Sequence, residues 1–479
     1  MDKQKVTKLI LLIICLATYF IINGLPNSNA GLTPEQIQAL KDQGQVVLTA
    51  QGQQVLALMV AVILAWIFEV VPIGIASVFA LFMIPTLGLA KTPWAMQNFA
   101  IPTIFFIMCS FCFANGFIKT GLGYRISLTV STMFGKSPGR ILLSFMVATG
   151  VVSMFLADIP TAIVFGSIAY PILQKNNCEP GKSKWGMAMM MGIPMSAAIG
   201  GIGTPAGSGL NVLALDLLRS TSGIEVNFVQ WAALGVPVAL ILIFVNWYVL
   251  MLFCKPELSH VEGLDDIKAE KAKLGKMSTA ELKFCIIFAL TVLGWVTSVW
   301  TKIPIYVTAV VFATVLFLPG INIIEWVETR KGIGWEVLLL VGASNALAKL
   351  MMMHGADKWI ASAIDLTGMS LFAMIFVVVA FGVFSHLILP VGNAALAVCI
   401  PVIAVLAQSA GVNPALLIIP MGFCASCVFL IPVDPIPLTT YQYGYWRMID
   451  MMKPGWVVSA IWVVVLTVFA YLAGVIGIF

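Results

Sequence analysis

Charge is scarce in this chain: only 10% of its 479 residues are Asp, Glu, Lys or Arg, and three are histidine. A soluble domain carries about 25% charged residues, so a water-surrounded globular enzyme is excluded. No metal-spaced His/Cys/Asp group occurs, and no Ser/His/Asp arrangement in a polar context. Both absences argue against a membrane-embedded enzyme. The short alternating segments of an outer-membrane barrel are missing too. What is present is apolar residue, 60% of the chain, with a mean hydropathy of +1.02. Disorder, collagen and disulfide scaffolds do not tolerate so much. The composition defines an all-α polytopic membrane protein in the lipid bilayer, and its net charge of +5 reports orientation rather than nucleic acid.

Nine cysteines lie mostly inside apolar runs. Cys109/Cys112 and Cys424/Cys427 have C-x-x-C spacing, but without a histidine cluster they read as small packing residues and free thiols. The first apolar stretch, 9–22, follows Lys3, Lys5 and Lys8 and has small residues after it (23–31), as a signal peptide would. The many spans downstream favour a retained first helix.

A spanning helix needs about 20 apolar residues. Segments 8–24, 52–71, 73–90, 99–120, 229–253, 284–300, 303–320, 334–353 and 455–478 qualify as candidates. Four further apolar regions are interrupted. Region 140–174 contains Ala-Asp-Ile-Pro-Thr (157–161), and 186–218 contains Gly-Gly-Ile-Gly-Thr-Pro-Ala-Gly-Ser-Gly (200–209). Region 370–408 contains Leu-Pro-Val-Gly-Asn (389–393), and 412–445 contains Ile-Pro-Val-Asp-Pro-Ile-Pro (431–437). Proline and clustered glycine stop a helix, and backbone freed at membrane depth must be buried in protein or line a cavity. Regions 140–174 and 370–408 read as re-entrant hairpins, the other two as discontinuous helices.

Charge tests the topology. With a cytoplasmic N-terminus and hairpins entering from opposite sides, twenty of the 26 basic residues face the cytoplasm. Lys41, Lys91, Arg219, Lys302 and Lys358 lie outside, and Lys349 within a span. This is the positive-inside pattern of an inner membrane. The polar segment 255–283 divides the chain into a first repeat (51–254) and a second (284–479), preceded by a span and external loop (1–50). An offset of 230 places Pro160 on Pro390, Pro171 on Pro401 and Pro205 on Pro435. Hairpin matches hairpin and break matches break. The pattern is an inverted repeat, which puts substrate and ion sites where the discontinuous helices meet.

Each break offers helix N-termini that favour anions and free carbonyls that hold Na⁺. Gly203, Thr204, Gly207 and Ser208 suit both tasks, although small residues also serve close helix packing. Asp158 and Asp434 interrupt apolar runs at breaks, and intramembrane carboxylates are functional candidates; helix capping is the plainer role for Asp158. Asp158 with Gly203 and Thr204 forms one expected Na⁺ or H⁺ site, and Asp434 with the Gly392–Asn393 tip the other. Thr161, Ser208, Gly392, Asn393, Pro435 and His386 are the expected substrate contacts, with packing as the alternative role of His386. Lys349 is expected to snorkel or pair, and His354 and His260 to be solvated.

The stretch Phe-Leu-Ile-Pro-Val-Asp-Pro-Ile-Pro (429–437), with Tyr-Gly-Tyr-Trp-Arg-Met-Ile-Asp (443–450), resembles the late broken-helix signature of the divalent anion/sodium symporter family. Ile-Gly-Gly-Ile-Gly-Thr-Pro-Ala-Gly-Ser-Gly-Leu-Asn (199–211) is similar to its first-half counterpart. Thr120-Gly121-Leu122 and His354-Gly355 match span-ending positions. The resemblance implies eleven spans, two hairpins, a homodimer, elevator-type alternating access and di- or tricarboxylate transport, often with Na⁺. The chain departs from it at both hairpin tips: Thr161-Ala162-Ile163 and Val391-Gly392-Asn393 stand where the family carries Ser-Asn-Thr. Asp434 stands where family members have a neutral residue. The expected function is secondary transport of a small organic anion without a cofactor, with Na⁺ as a possible coupling ion. The alternatives are a cation/proton antiporter and a sodium-independent dicarboxylate exchanger.

Overall fold

The computed structural model describes the chain except residues 1–2, 28–32, 34, 37–38, 41–44, 132–136, 263–268, 270, 365, 367, 390–391 and 433. Several expectations therefore lie outside the described residues: Pro390 and Val391 of the second tip, Lys41, Lys136 and Lys268 of the charge count, and 28–31 of the signal-like stretch.

The described residues are helical throughout, without a strand. In chain order the helices are α1 (Lys3–Gly24), α2 (Ala50–Ile67), α3 (Ile73–Thr86), α4 (Thr92–Phe99), α5 (Pro102–Lys119), α6 (Leu122–Ser131), α7 (Pro138–Ser153), α8 (Asp158–Lys175), α9 (Lys184–Gly201), α10 (Gly209–Ser222) and α11 (Phe228–Phe253). The second half continues with α12 (Thr279–Thr301), α13 (Ile305–Val315), α14 (Trp326–Gly332), α15 (Trp335–Met353), α16 (Ala356–Ser362), α17 (Leu371–Phe384), α18 (Gly392–Ser409), α19 (Ala415–Cys424), α20 (Pro435–Tyr441) and α21 (Met448–Ile476).

Among the described residues, eight helices are long and apolar enough to cross a membrane, and five shorter apolar ones accompany them. Two expected spans come out short. Region 73–90 is a 14-residue helix and 303–320 an 11-residue one, against the roughly 20 residues that a crossing needs. Gly88, at φ 70, turns the chain after the first. After the second, the Ile323 N–H returns to the Leu316 carbonyl at 3.0 Å. His354, expected in solvent, instead binds the Leu89 carbonyl through Nε2 at 2.8 Å.

Capping explains where the long helices begin. Asn227 and Gln230 form a reciprocal capping box ahead of α11, and Ser278 and Glu281 do so ahead of α12. Arg125 on α6 grips Glu281 at 2.7 and 3.1 Å and the Gly275 carbonyl at 2.9 Å, so the 255–283 linker is anchored to the first half.

The interrupted regions are each two helices. Residues 140–174 are α7 and α8 meeting at 154–157, and 370–408 are α17 and α18. In 186–218, α9 stops at Gly201 and α10 starts at Gly209, with a single 3₁₀ turn at Pro205–Gly207 between them. In 412–445, α19 stops at Cys424 and α20 starts only at Pro435. Glycine lets these pieces meet backbone to backbone. A Cβ on Gly200 would lie 2.1 Å from the Gly150 carbonyl oxygen, and one on Gly207 would lie 2.4 Å from that of Gly201. α9 is thereby pressed onto α7, and the break is folded onto itself.

Helices from the two halves cross over at the centre. α10 packs on α18, whereas α20 packs on α8 and α9. Thr440 of α20 donates to the Met190 carbonyl, and Tyr445 Oη to that of Cys178 at 2.9 Å.

Two consequences are measurable. Gly200→Ala drives a methyl group into backbone that cannot yield and is expected to cost about 1–3 kcal/mol, lowering the melting temperature in detergent. Gly24→Ala, with nothing near its Cβ position, is expected to stay within about 0.5 kcal/mol. Equal melting temperatures for the two would refute the backbone contact. Glu257 accepts hydrogen bonds from Ser183 Oγ and, at 2.9 Å, from the Trp185 N–H at the start of α9. Burial pushes its carboxyl up, but the bonds from Ser183 and from the backbone outweigh it and hold the group below the ordinary Glu value. Such a group adds stability above its unfolded pKa and loses it as pH falls through the folded one. Because the side chain is largely exposed, Glu257→Gln should remove under about 1 kcal/mol and flatten the melting-temperature profile below about pH 4.3. An unchanged acid limb would contradict this.

Candidate functional site

The starts of four helices converge on one cavity of about 230 Å³. Asp158, Ile159 and Pro160 line it from the first turn of α8, Ser208, Gly209 and Leu210 from α10, Gly392 and Asn393 from α18, and Asp434, Pro435 and Ile436 from α20. Phe106, Ile107 and Phe111 of α5 and Leu340 of α15 supply apolar wall. Glu69, after α2, and Glu336, in the first turn of α15, complete the lining; both are exposed and mark its mouth. Glu69 has φ 43, a left-handed backbone that a non-glycine residue rarely adopts.

The carboxyl groups at the floor are held by helix N-termini. Asp434 is the N-cap of α20, and its Oδ1 accepts from the Ile436 N–H at 3.0 Å ahead of Pro435 at the first helical position. Asp158 heads α8, and its Oδ1 accepts from the Ile159 N–H at 2.9 Å. A Cβ on Gly201 would sit 3.5 Å from Asp158 Oδ2, and the Ser208 hydroxyl is in reach of the same carboxylate. The charge of Asp434 is felt at Asp158. The structure thus gathers into one cavity two carboxyls that the sequence places at separate sites. Capping, the plainer role weighed for Asp158, is met by Asp434.

The expected site residues separate into two groups. Asp158, Ser208, Gly392, Asn393, Asp434 and Pro435 line the cavity. Thr161, Gly203, Thr204 and His386 do not, and three of these four side chains hold backbone. Thr161 Oγ1 donates to the Ala157 carbonyl at 3.0 Å, Thr204 Oγ1 to that of Met154, and His386 Nε2 lies 3.0 Å from the Cys424 carbonyl. Gly203 packs on Met154, where a Cβ would come within 2.7 Å of its side chain. Asn393 is 8% exposed, and its Oδ1 is buried without a hydrogen-bond partner.

Two residues of consequence escaped the sequence reasoning. Asn211 is fully buried and bridges the first break, Nδ2 donating to the Gly201 and Thr204 carbonyls at 2.7 and 2.8 Å. Its signal was an amide two residues past the glycine-rich run. Asp216, one turn further along α10, lies within electrostatic reach of Lys349 on α15. All nine cysteines are free, and no metal-holding group of His, Cys, Asp or Glu occurs among the described residues.

A multi-pass helical protein whose broken helices meet at one cavity holding buried carboxyls has the architecture of a secondary transporter. Residues 45–477 match the sodium:sulfate symporter transmembrane region, and the chain belongs to that family. It is a membrane transporter of the symporter type, not an enzyme, and sodium is the ion in the family's description. The sodium-dependent dicarboxylate transporter SdcS of Staphylococcus saprophyticus is 29% identical over 451 residues, covering 88% of this chain and 86% of that one. SdcS of Staphylococcus aureus is 29% identical over 459 residues, 89% and 87% of the two chains. The structure of MtrF from Neisseria gonorrhoeae, described within a class of antimetabolite efflux pumps, aligns over 98% of this chain and 94% of that one. Its TM-score is 0.50 at 11% identity, a likeness of fold alone.

Asn211→Ala would leave the buried Gly201 carbonyl unpaired, at about 1–3 kcal/mol, and strip the Thr204 carbonyl to the Gly207 N–H at 3.1 Å. The expected outcome is a clearly lower melting temperature in detergent. An unchanged one would mean that the carbonyls find other donors.

Proposed function

We propose that this protein is a Na⁺-coupled secondary transporter of a small organic carboxylate, working by elevator-type alternating access in a homodimer. The observation that supports it most directly is the convergence of helix starts from both halves on a cavity that holds Asp158 and Asp434. N–H groups at helix starts suit a substrate carboxylate, and buried carboxylates suit a coupling cation. The relatives' names, sodium-dependent dicarboxylate transporters, supply the substrate class. The chain is read as two inverted repeats, 51–254 and 284–479, with hairpins 140–174 and 370–408, broken helices 186–218 and 412–445, the linker 255–283 and the N-terminal piece 1–50. The N-terminus is placed in the cytoplasm by the basic residues. Glu336 at the cavity mouth closely follows Arg330 and Lys331, so the mouth faces inward.

A second reading, cation/proton antiport, is favoured by one observation, two carboxyls sharing one cavity. Proteoliposomes separate the two. An inward Na⁺ gradient is expected to drive uptake of a labelled four-carbon carboxylate, and dissipating the gradient to abolish it. Cation flux that proceeds at full rate without any organic acid would refute symport and support the second reading.

A further inference from the structure

Among the described residues the cavity is lined by no basic side chain, and its charged lining is Asp158, Asp434, Glu69 and Glu336. The long helices that start there, α8, α10 and α18, have 18, 14 and 18 residues. Each presents about half a positive charge at its N-terminus, roughly one and a half together. Two carboxylates at the floor outweigh that, before the two glutamates at the mouth are considered. A plain dicarboxylate would add two more negative charges to a site already negative.

The unpaired atoms point the same way. Asn393 Oδ1 is a buried acceptor without a donor. Asp158 and Asp434 each use Oδ1 on a backbone N–H, at 2.9 and 3.0 Å, and each has its second oxygen to offer. These three acceptors, Asn393 Oδ1 without any donor and one oxygen of each aspartate, match the three donors of a protonated primary amine. Phe106 and Phe111 add aromatic wall, on whose faces a cation is attracted. The N–H groups at the starts of α10 and α18 remain for a carboxylate.

We propose that the solute is a small carboxylic acid bearing a protonated amine, its ammonium bound by Asp158, Asp434 and Asn393 and its carboxylate by the starts of α10 and α18. The proposal rests on the reading of this cavity as the transport site for a carboxylate and narrows its substrate class. Succinate and L-aspartate differ by one amine. Their binding to the purified full-length protein at one fixed NaCl concentration, by calorimetry and by uptake into proteoliposomes, is the test. L-aspartate is expected to bind at least about tenfold more tightly than succinate, since a charge-assisted hydrogen bond is worth that much. Asp158→Asn and Asp434→Asn keep an acceptor for the backbone N–H, and each is expected to shrink the preference about tenfold or reverse it. Succinate bound as tightly as L-aspartate, or more tightly, overturns the proposal and leaves carboxylate transport standing. So does a preference for L-aspartate that survives in both variants. If neither acid binds to wild-type protein that melts cooperatively, the carboxylate reading and this proposal fall together.

Discussion

The centre of this protein depends on how backbone freed by helix breaks finds hydrogen-bond partners where water is absent. At membrane depth an orphaned carbonyl or N–H costs several kcal/mol, and two breaks release many. The chain answers with side chains that would otherwise be candidates for function. Asn211 holds the Gly201 and Thr204 carbonyls, Trp231 Nε1 that of Ile202 at 2.9 Å, and Ser153 Oγ that of Ala197 at 2.7 Å. The second break uses His386 on Cys424 and the Asp434 cap. Once these groups are engaged, the few polar atoms left over define what the cavity can recognise.

This explains why Thr204 and His386 look functional in the sequence and lie off the cavity in the structure. A polar residue beside a helix break has two roles open to it, and residue type alone does not separate them. Spacing does so only in part. Ser208 and Asp434 cap their helices and also line the cavity, because an N-cap residue at a break points along the axis toward whatever the helix start faces. Thr161, one turn inside α8, bonds back to the Ala157 carbonyl and is turned away.

Much of the architecture was legible because membrane burial makes its sequence signals strong. Apolar length gave most of the spans, short helices standing for 73–90 and 303–320, and proline and glycine gave the breaks. The crossing of the halves was not legible. That α20 lies on α8 and α9 while α10 lies on α18 is a matter of tertiary packing between segments at least 170 residues apart. No local pattern encodes it. The merging of two expected ion sites into one cavity follows from that crossing.

The crossing also bears on why neither half builds a site alone. Each floor carboxyl heads a helix packed against the other half: Asp434 heads α20, which rests on α8 and α9, and Asp158 heads α8, which rests on α20; the Asn393 amide lies at the start of α18, which rests on α10. Moving one of these helices along its axis withdraws an acceptor from the cavity and exposes the backbone that the acceptor's neighbours hold. Two buried carboxyls facing one space need compensating charge to stay there, and the helix starts cover only part of it. The remainder is met by a proton or by a cation that the cavity binds. Occupancy and the packing of the two halves are therefore coupled through the same few atoms. A solute or ion that neutralises Asp158 and Asp434 together lowers the cost of keeping α8, α10, α18 and α20 in register, and an empty cavity does not.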